Sequence, residues 1–329
     1  MDANELINRY ALGERNFSEI NLIGANLERA NLANANFSGA YLGATNLSRA
    51  QLTGVNFAGA FLHRANLSFA KLNEAILTNA DLTKANLQGA YLIRSILKGS
   101  KLSGAILTAV NLRLANLEGI NLCGADLREV NLRSANLTNA NLNWANLTGA
   151  RLSGALLQGA SLTGIKLSQA LLNGVDLSGM ELEGVNFSES KLSGANLTAT
   201  NLSATNLSNC QLRVSLLSRA NLHAANLAGA VLSKADLCEA NLSKADLTTA
   251  SLNEADLTGA KLNMANLSEA NLSEASLRKA YLWGANLNVA EMRGADLRGA
   301  SLRGAYLHGA DWREAILTGA TMPDGSLHD

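Results

Sequence analysis

Proline is almost missing from this chain of 329 residues: Pro323 stands alone, near the C-terminus. Proline donates no backbone hydrogen bond, so its absence suits a backbone paired along its length. Aromatic residues make up only 4%, and they do not interleave with basic residues as a single-strand nucleic-acid surface requires. The three cysteines, Cys123, Cys210 and Cys238, lie far apart and form no Cys-x-x-Cys pair. A disulfide framework is therefore not expected, and a reducing, cytoplasmic setting is. An excess of one charge is missing as well: Lys plus Arg and Asp plus Glu number 27 each. That balance removes any global pull toward nucleic acid or anionic lipid. It also counts against an acidic mimic of duplex DNA. No apolar run approaches the ~18 residues of a membrane span. The opening residues, MDANELINRY, carry charges and no apolar stretch, so no secretory leader is expected.

What the chain has instead is a period of five. From Leu12 to Met322 every fifth residue is large and apolar. Leucine dominates, with Phe17, Phe37, Phe57, Phe187, Met292, Trp312 and Met322 as exceptions. Two places before each of these centres sits a small residue, usually alanine. A helix turns ~100° per residue, so a step of five would wind the centres around its whole surface. An extended segment alternates faces, which places centre and small residue on the same side. The fifth residue must then turn the chain. Of 28 glycines, 25 lie two places after a centre, where a corner with positive φ favours them. Asn, Asp and Ser before the centre can bond nearby turn backbone. Phe17, Phe37 and Phe57 recur at twenty, as do Ile76 with Ile96 and Arg113 with Arg133. A spacing of twenty is four units, which predicts a square coil with like residues above like.

The segments ANLERANLANANF at 25–37 and ADLTTASLNEADLTGAKL at 245–262 resemble the A(D/N)LXX motif of the pentapeptide repeat family. The resemblance covers roughly residues 16 to 322. It implies an all-β, right-handed quadrilateral β-helix, and a family especially abundant in cyanobacteria. The family it resembles includes members that protect DNA gyrase from quinolones. On this basis residues 1–15 form an N-terminal cap, 16–322 the repeat and 323–329 a C-terminal turn and tail. The repeat would supply about 15 coils and extend ~70–75 Å at strand spacing. Asp2 and Glu5 have capping-box spacing, and Leu6, Ile7 and Tyr10 are expected to form the apolar face of a short helix. Larger core residues, Trp312 and Met322, are expected at the far end, before a Pro323-Asp324-Gly325 turn.

Chemistry has few candidates. His63 and His223 share a side but lie many coils apart; His308 and His328 are twenty apart and could be neighbours, but His328 lies in the tail. No metal site, catalytic residue or cofactor site is expected. Asp236 and Asp256 should stack, with Asp296 farther along the same side, as a solvated turn ladder. Cys210 falls at a small inward position and reads as a packed thiol.

The variable positions offer binding surfaces. The side centred on Leu32, Leu52 and Leu72 carries a basic run of Arg94, Arg113, Arg133, Arg151, Lys191, Arg213 and Lys234, without an acid between Glu74 and Glu254. The side centred on Leu22, Leu42 and Leu62 collects Tyr41, Phe61, Trp144, Tyr281 and Trp283. The expected function is a non-enzymatic scaffold holding a protein partner through the basic stripe and the Tyr281/Trp283 spot. The alternative is protection or inhibition of DNA gyrase by duplex mimicry. Nucleic acid is not an expected partner, and coil ends leave room for a homodimer stacked end to end.

Overall fold

The computed structural model describes residues 1–329. Its only helix, α1 (Ala3–Ala11), starts at Asp2, whose carboxylate accepts the Glu5 N–H at 2.8 Å. This is one half of a capping box; Glu5 itself lies 3.8 Å from Arg9. Leu6 is fully buried, and the half-buried Tyr10 donates its hydroxyl proton to the Ala33 carbonyl at 3.0 Å. Ile7 does not join them and is exposed. It follows Leu6 by ~100° around the helix, off the face that Leu6 and Tyr10 share. Leu12 also departs from expectation. It caps α1 and is 88% exposed, so the inward ladder begins at Phe17.

From Asn16 onward the backbone repeats one move. The residue before each centre forms a parallel bridge with the residue twenty later: Asn16 with Asn36 and so on to Asn146 with Lys166, then Leu171 with Lys191 and so on to Ser301 with Thr321. A constant step of twenty means four five-residue sides per coil. The hydrogen bonds of one side show why. Tyr41 donates its N–H to Ile20 O, Leu42 to Phe61 O, Ala44 to His63 O and Thr45 to Leu42 O. The last is a β-turn whose third residue needs positive φ, and Ala44 has φ 53°. Four of five amides are thus paired with backbone. The fifth, on the residue after the centre, has no backbone acceptor; where Asn or Asp precedes the centre its side chain takes it, as Asn46 Oδ1 accepts from Ser48 N–H at 3.1 Å on the next side. Leucine core, polar neighbour and turn therefore act together in pairing the backbone.

The chain divides into two compact units, Met1–Lys166 and Leu167–Asp329. In both, the centres are buried with the small residues between them. In the first, Phe17, Phe37 and Phe57 stack with ring centroids 5.5 Å apart. Polar residues at small positions return their protons to the centres' carbonyls: Thr45 to Leu22, Ser190 to Leu167, and Cys210 through Sγ to Phe187. No buried side-chain polar atom lacks a partner. The last centres are looser than the pattern suggests. Trp312 is 38% exposed and Met322 only partly buried, because no further coil covers them; Thr321 instead meets Leu327 in an antiparallel bridge.

Candidate partner-binding surfaces

In the first unit, Arg94, Arg113, Arg133 and Arg151 are all exposed, and none has an acid within salt-bridge distance. They do not form a straight row. Arg94 sits at the second corner position, Arg113 and Arg133 at the first, and Arg151 at a bridge position. The run therefore wanders across the side. It is also bordered by Glu129, at the corner leading into that side, which a reading of the side alone overlooks.

Beside these arginines runs a groove of about 530 Å³. Its outer edge is the corner column Phe69, Gly89, Ala109, Glu129 and Gly149; its inner edge is the bridge row Tyr91, Asn111, Asn131 and Arg151. The sequence reading missed it. The signal was present as small residues on one corner column, Gly89 and Ala109 twenty apart and Gly149 forty further on.

The aromatic side of this unit holds Tyr41 stacked on Phe61, ring centroids 5.0 Å apart and nearly parallel at 9°. Trp144 occupies a left-handed corner at φ 61°, and its ring lies over Gly164, where an added Cβ would fall 2.3 Å from Cε3. Phe69 lies over Gly89 in the same way, at 2.6 Å from Cε1. Cys123 is half-buried.

In the second unit Lys191 and Arg213 are exposed without an ion pair, whereas Lys234 reaches Glu254 at 3.2 Å. Arg213, Lys234 and Glu254 share a shallow concavity with Ser233 and Asn253. Tyr281 and Trp283 flank the centre Leu282 on the same outward surface, 53% and 54% exposed. Asn263 Oδ1 accepts the Trp283 N–H at 3.2 Å, because Tyr281 supplies no side-chain acceptor at the bridge position. A basic concavity that the sequence reading did not single out is lined by Thr258, Arg278, Lys279 and Arg298. Arg298 donates to both oxygens of Asp296 at 2.9 and 2.6 Å, and this pairing holds the Asp296 carboxyl below its usual range.

Asp236 and Asp256 pair in register, and Ser218 donates its hydroxyl proton to Asp236 at 2.5 Å. Cys238 lies nearby; burial first, then the neighbouring carboxylates, push its thiol up. Cys210 is buried, and desolvation pushes its thiol up to about 12. No group of three or more His, Cys, Asp or Glu is arranged to hold a metal ion. No helix is long and apolar enough to cross a membrane.

A coil of four five-residue sides, with this pattern of leucine and Asn or Asp, defines a pentapeptide solenoid. The model of pentapeptide repeats (8 copies) matches residues 16–49, 45–83, 75–113, 115–154, 150–188, 181–213, 215–253, 250–288, 265–304 and 295–329. This chain belongs to the pentapeptide repeat family, whose members form right-handed quadrilateral β-helices. Among solved structures it is similar to the pentapeptide repeat protein Rfr23 from the cyanobacterium Cyanothece 51142, at 42% identity over 29% of this chain and 64% of that one, with a TM-score of 0.27. The match thus spans a little under two-thirds of that protein's own length. HetL from the cyanobacterium Nostoc sp. strain PCC 7120, a pentapeptide repeat protein involved in heterocyst differentiation regulation, is 30% identical over 100% of both chains, with a TM-score of 0.18. QnrB1, a plasmid-mediated fluoroquinolone resistance protein, is 18% identical over 57% of this chain and 91% of that one, with a TM-score of 0.36. No curated protein matches the sequence.

Proposed function

We propose that this protein is a non-enzymatic cytoplasmic scaffold that presents fixed side chains to a protein partner. The observation that carries this reading is the contrast between frame and surface. In most units four of the five backbone amides are spent within the coil, while Arg94, Arg113, Arg133, Arg151, Lys191 and Arg213 project without intramolecular ion pairs. A partner would meet side chains whose backbone is already ordered, so little entropy is lost on binding. The Tyr281/Trp283 spot adds exposed aromatic area of the kind that anchors interfaces. The repeat 16–322 would be the working part, with 1–15 and 323–329 closing its ends.

The test is affinity capture from native lysate with wild-type protein, Arg113→Glu/Arg133→Glu and Tyr281→Ala/Trp283→Ala. At least one specific partner should be lost from a variant. Identical partner lists for all three would remove these surfaces from the function. Gyrase protection is the weaker reading, since duplex mimicry needs a strongly acidic surface and this chain has formal net charge +0. A supercoiling assay unaffected by added protein would exclude it.

A further inference from the structure

The groove in the first unit has a built end, a floor and a chemical gradient. Phe69 closes one end: its ring rests on Gly89, and the Arg49 guanidinium lies 5.9 Å from its centroid on the neighbouring coil. Tyr91, also exposed, adds a second ring there. The floor is backbone at Ala90 and Val110, whose side chains are buried in the core. Toward the other end the lining becomes a set of hydrogen-bond donors. Asn111 and Asn131 each use Oδ1 to accept the N–H of the arginine two residues on, at 3.2 and 3.3 Å. That fixes each amide and leaves its Nδ2 protons without a protein acceptor. Arg113 and Arg133 flank this row, and Arg151 lines the groove itself, all without an acid in salt-bridge range.

Such a lining suits a ligand rich in acceptors and negative charge, with an apolar group at one end. The groove runs from the coil of Phe69 to that of Gly149, four steps of ~4.8 Å or ~19 Å in all, the span of about six extended residues. Glu129 projects into it along Gly149. An acid at that place opposes a continuous phosphate backbone, which carries a charge at every unit, but not a peptide whose carboxylates are discrete. We infer that the Phe69–Arg151 groove takes an extended acidic peptide segment of a partner protein, with an aromatic or branched side chain against Phe69 and Tyr91 and carboxylates against Arg133 and Arg151. This inference rests on the partner-binding reading and gives its ligand a class.

The experiment is fluorescence anisotropy with labelled synthetic hexapeptides added to the full chain. The probes are Phe-Glu-Ser-Glu-Asp-Glu, the same peptide with Ser for Phe, and its lysine-for-acid reversal; single-stranded hexathymidylate is the fourth probe. The acidic peptide should bind with a Kd of about 10–100 μM at low salt and weaken as salt rises. Arg133→Glu should weaken it about tenfold. Ala109→Asn fills the groove with a residue that tolerates the left-handed corner, φ 57°, and should weaken binding by a similar factor. Lys84→Glu, on another side, should leave binding unchanged. Loss of the phenyl group should cost a few-fold, and the lysine peptide should not bind. The inference is overturned if the acidic peptide fails to bind at about 1 mM, if Ala109→Asn binds as wild type does, or if hexathymidylate binds more tightly than the peptide. Should the peptides fail while Arg113→Glu/Arg133→Glu still loses a captured partner, the groove proposal falls and the scaffold reading stands.

Discussion

At the scale of single residues, the corner is where sequence and backbone disagree most. Glycine at these positions looks like a requirement, yet most corners are held in positive φ by other residues, among them Arg94, Trp144, Val214 and Val289. The left-handed region costs an L-residue ~1–2 kcal/mol, and the coil imposes it because the paired amides on both sides leave no alternative. Val214, β-branched, exposed and at φ 56°, should carry that cost with little packing in return. Val214→Gly is expected to stabilise the second unit by roughly 0.5–1 kcal/mol after glycine's own entropy is counted, read as a higher denaturant midpoint. A lower midpoint would show that the corner is not strained. Glycine also has a second role that its φ does not reveal. Gly164 gives the Trp144 ring a seat, with an added Cβ only 2.3 Å from Cε3. In a Trp283→Phe/Trp312→Phe background, Gly164→Ala should turn Trp144 outward and shift its emission to the red. An unchanged spectrum would mean that the ring does not rest there.

At the scale of the five-residue element, one amide decides much of the polar sequence. The N–H after each centre has no backbone acceptor, so the residue before the centre is Asn or Asp in most units. In five of the units where it is not, an Asn one coil earlier supplies the oxygen. Asn73 serves Ile93, Asn143 serves Thr163, Asn173 serves Ser193, Asn263 serves Trp283 and Asn288 serves His308. The bridge residues in those five units are Tyr91, Ser161, Lys191, Tyr281 and Tyr306, none of which offers the usual carboxyl or amide oxygen. This pairing frees those bridge positions for residues other than Asn and Asp. Asn263→Ala is expected to speed amide hydrogen exchange at Trp283 and to cost about 1 kcal/mol, whereas Asn263→Asp should restore protection. Equal exchange in wild type and Asn263→Ala would sever this link. The asparagine ladders act across coils as well: Asn36 Nδ2 donates to Asn16 Oδ1 at 2.9 Å, and Asn56 to Asn36 at 3.1 Å.

At the scale of the whole molecule, charge is balanced but locally paired. Asp126, Asp296 and Asp311 are each gripped by the arginine two residues on, chiefly through side-chain hydrogen bonds, and each carboxyl lies below its usual value of 3.8, Asp311 at about 2. A carboxyl whose folded value is depressed favours the folded state above its unfolded value and loses that contribution as pH falls through the folded one. The denaturant midpoint should therefore not fall on these groups' account from neutrality to about pH 4, and should drop between about pH 4 and pH 2. A midpoint insensitive to acid across that window would show that these pairs do not contribute. The cysteines give an independent check on packing. In folded protein at mildly alkaline pH, iodoacetamide should modify Cys123 and Cys238 but spare Cys210, whose thiol is pushed up to about 12 by burial. Labelling of Cys210 at the rate of the others would mean that the core is open there.

The coil was legible in the residues alone. Because the centres recur at five and like residues at twenty, side, register and interior follow from alternation and turning alone, and Cys210 could be placed inward from its position in the unit. At the ends the residues told only part: α1, its Asp2 cap and the buried Leu6 were legible, the details beyond them were not. Leu12, Trp312 and Met322 keep the period but lack a coil on one side, and Ile7 shares a helix without sharing its buried face. Nor was the arrangement of the surface legible. All nine candidate contact residues are exposed, but which of them touch depends on where long side chains lie across a corner. Only the tertiary structure brought Glu129 beside the arginines, seated Phe69 on Gly89 and opened the groove between corner column and bridge row. Repetition fixes the backbone because every unit meets the same neighbours. Side chains outside the coil have no such constraint, and their arrangement is decided by whichever residue stands one coil away.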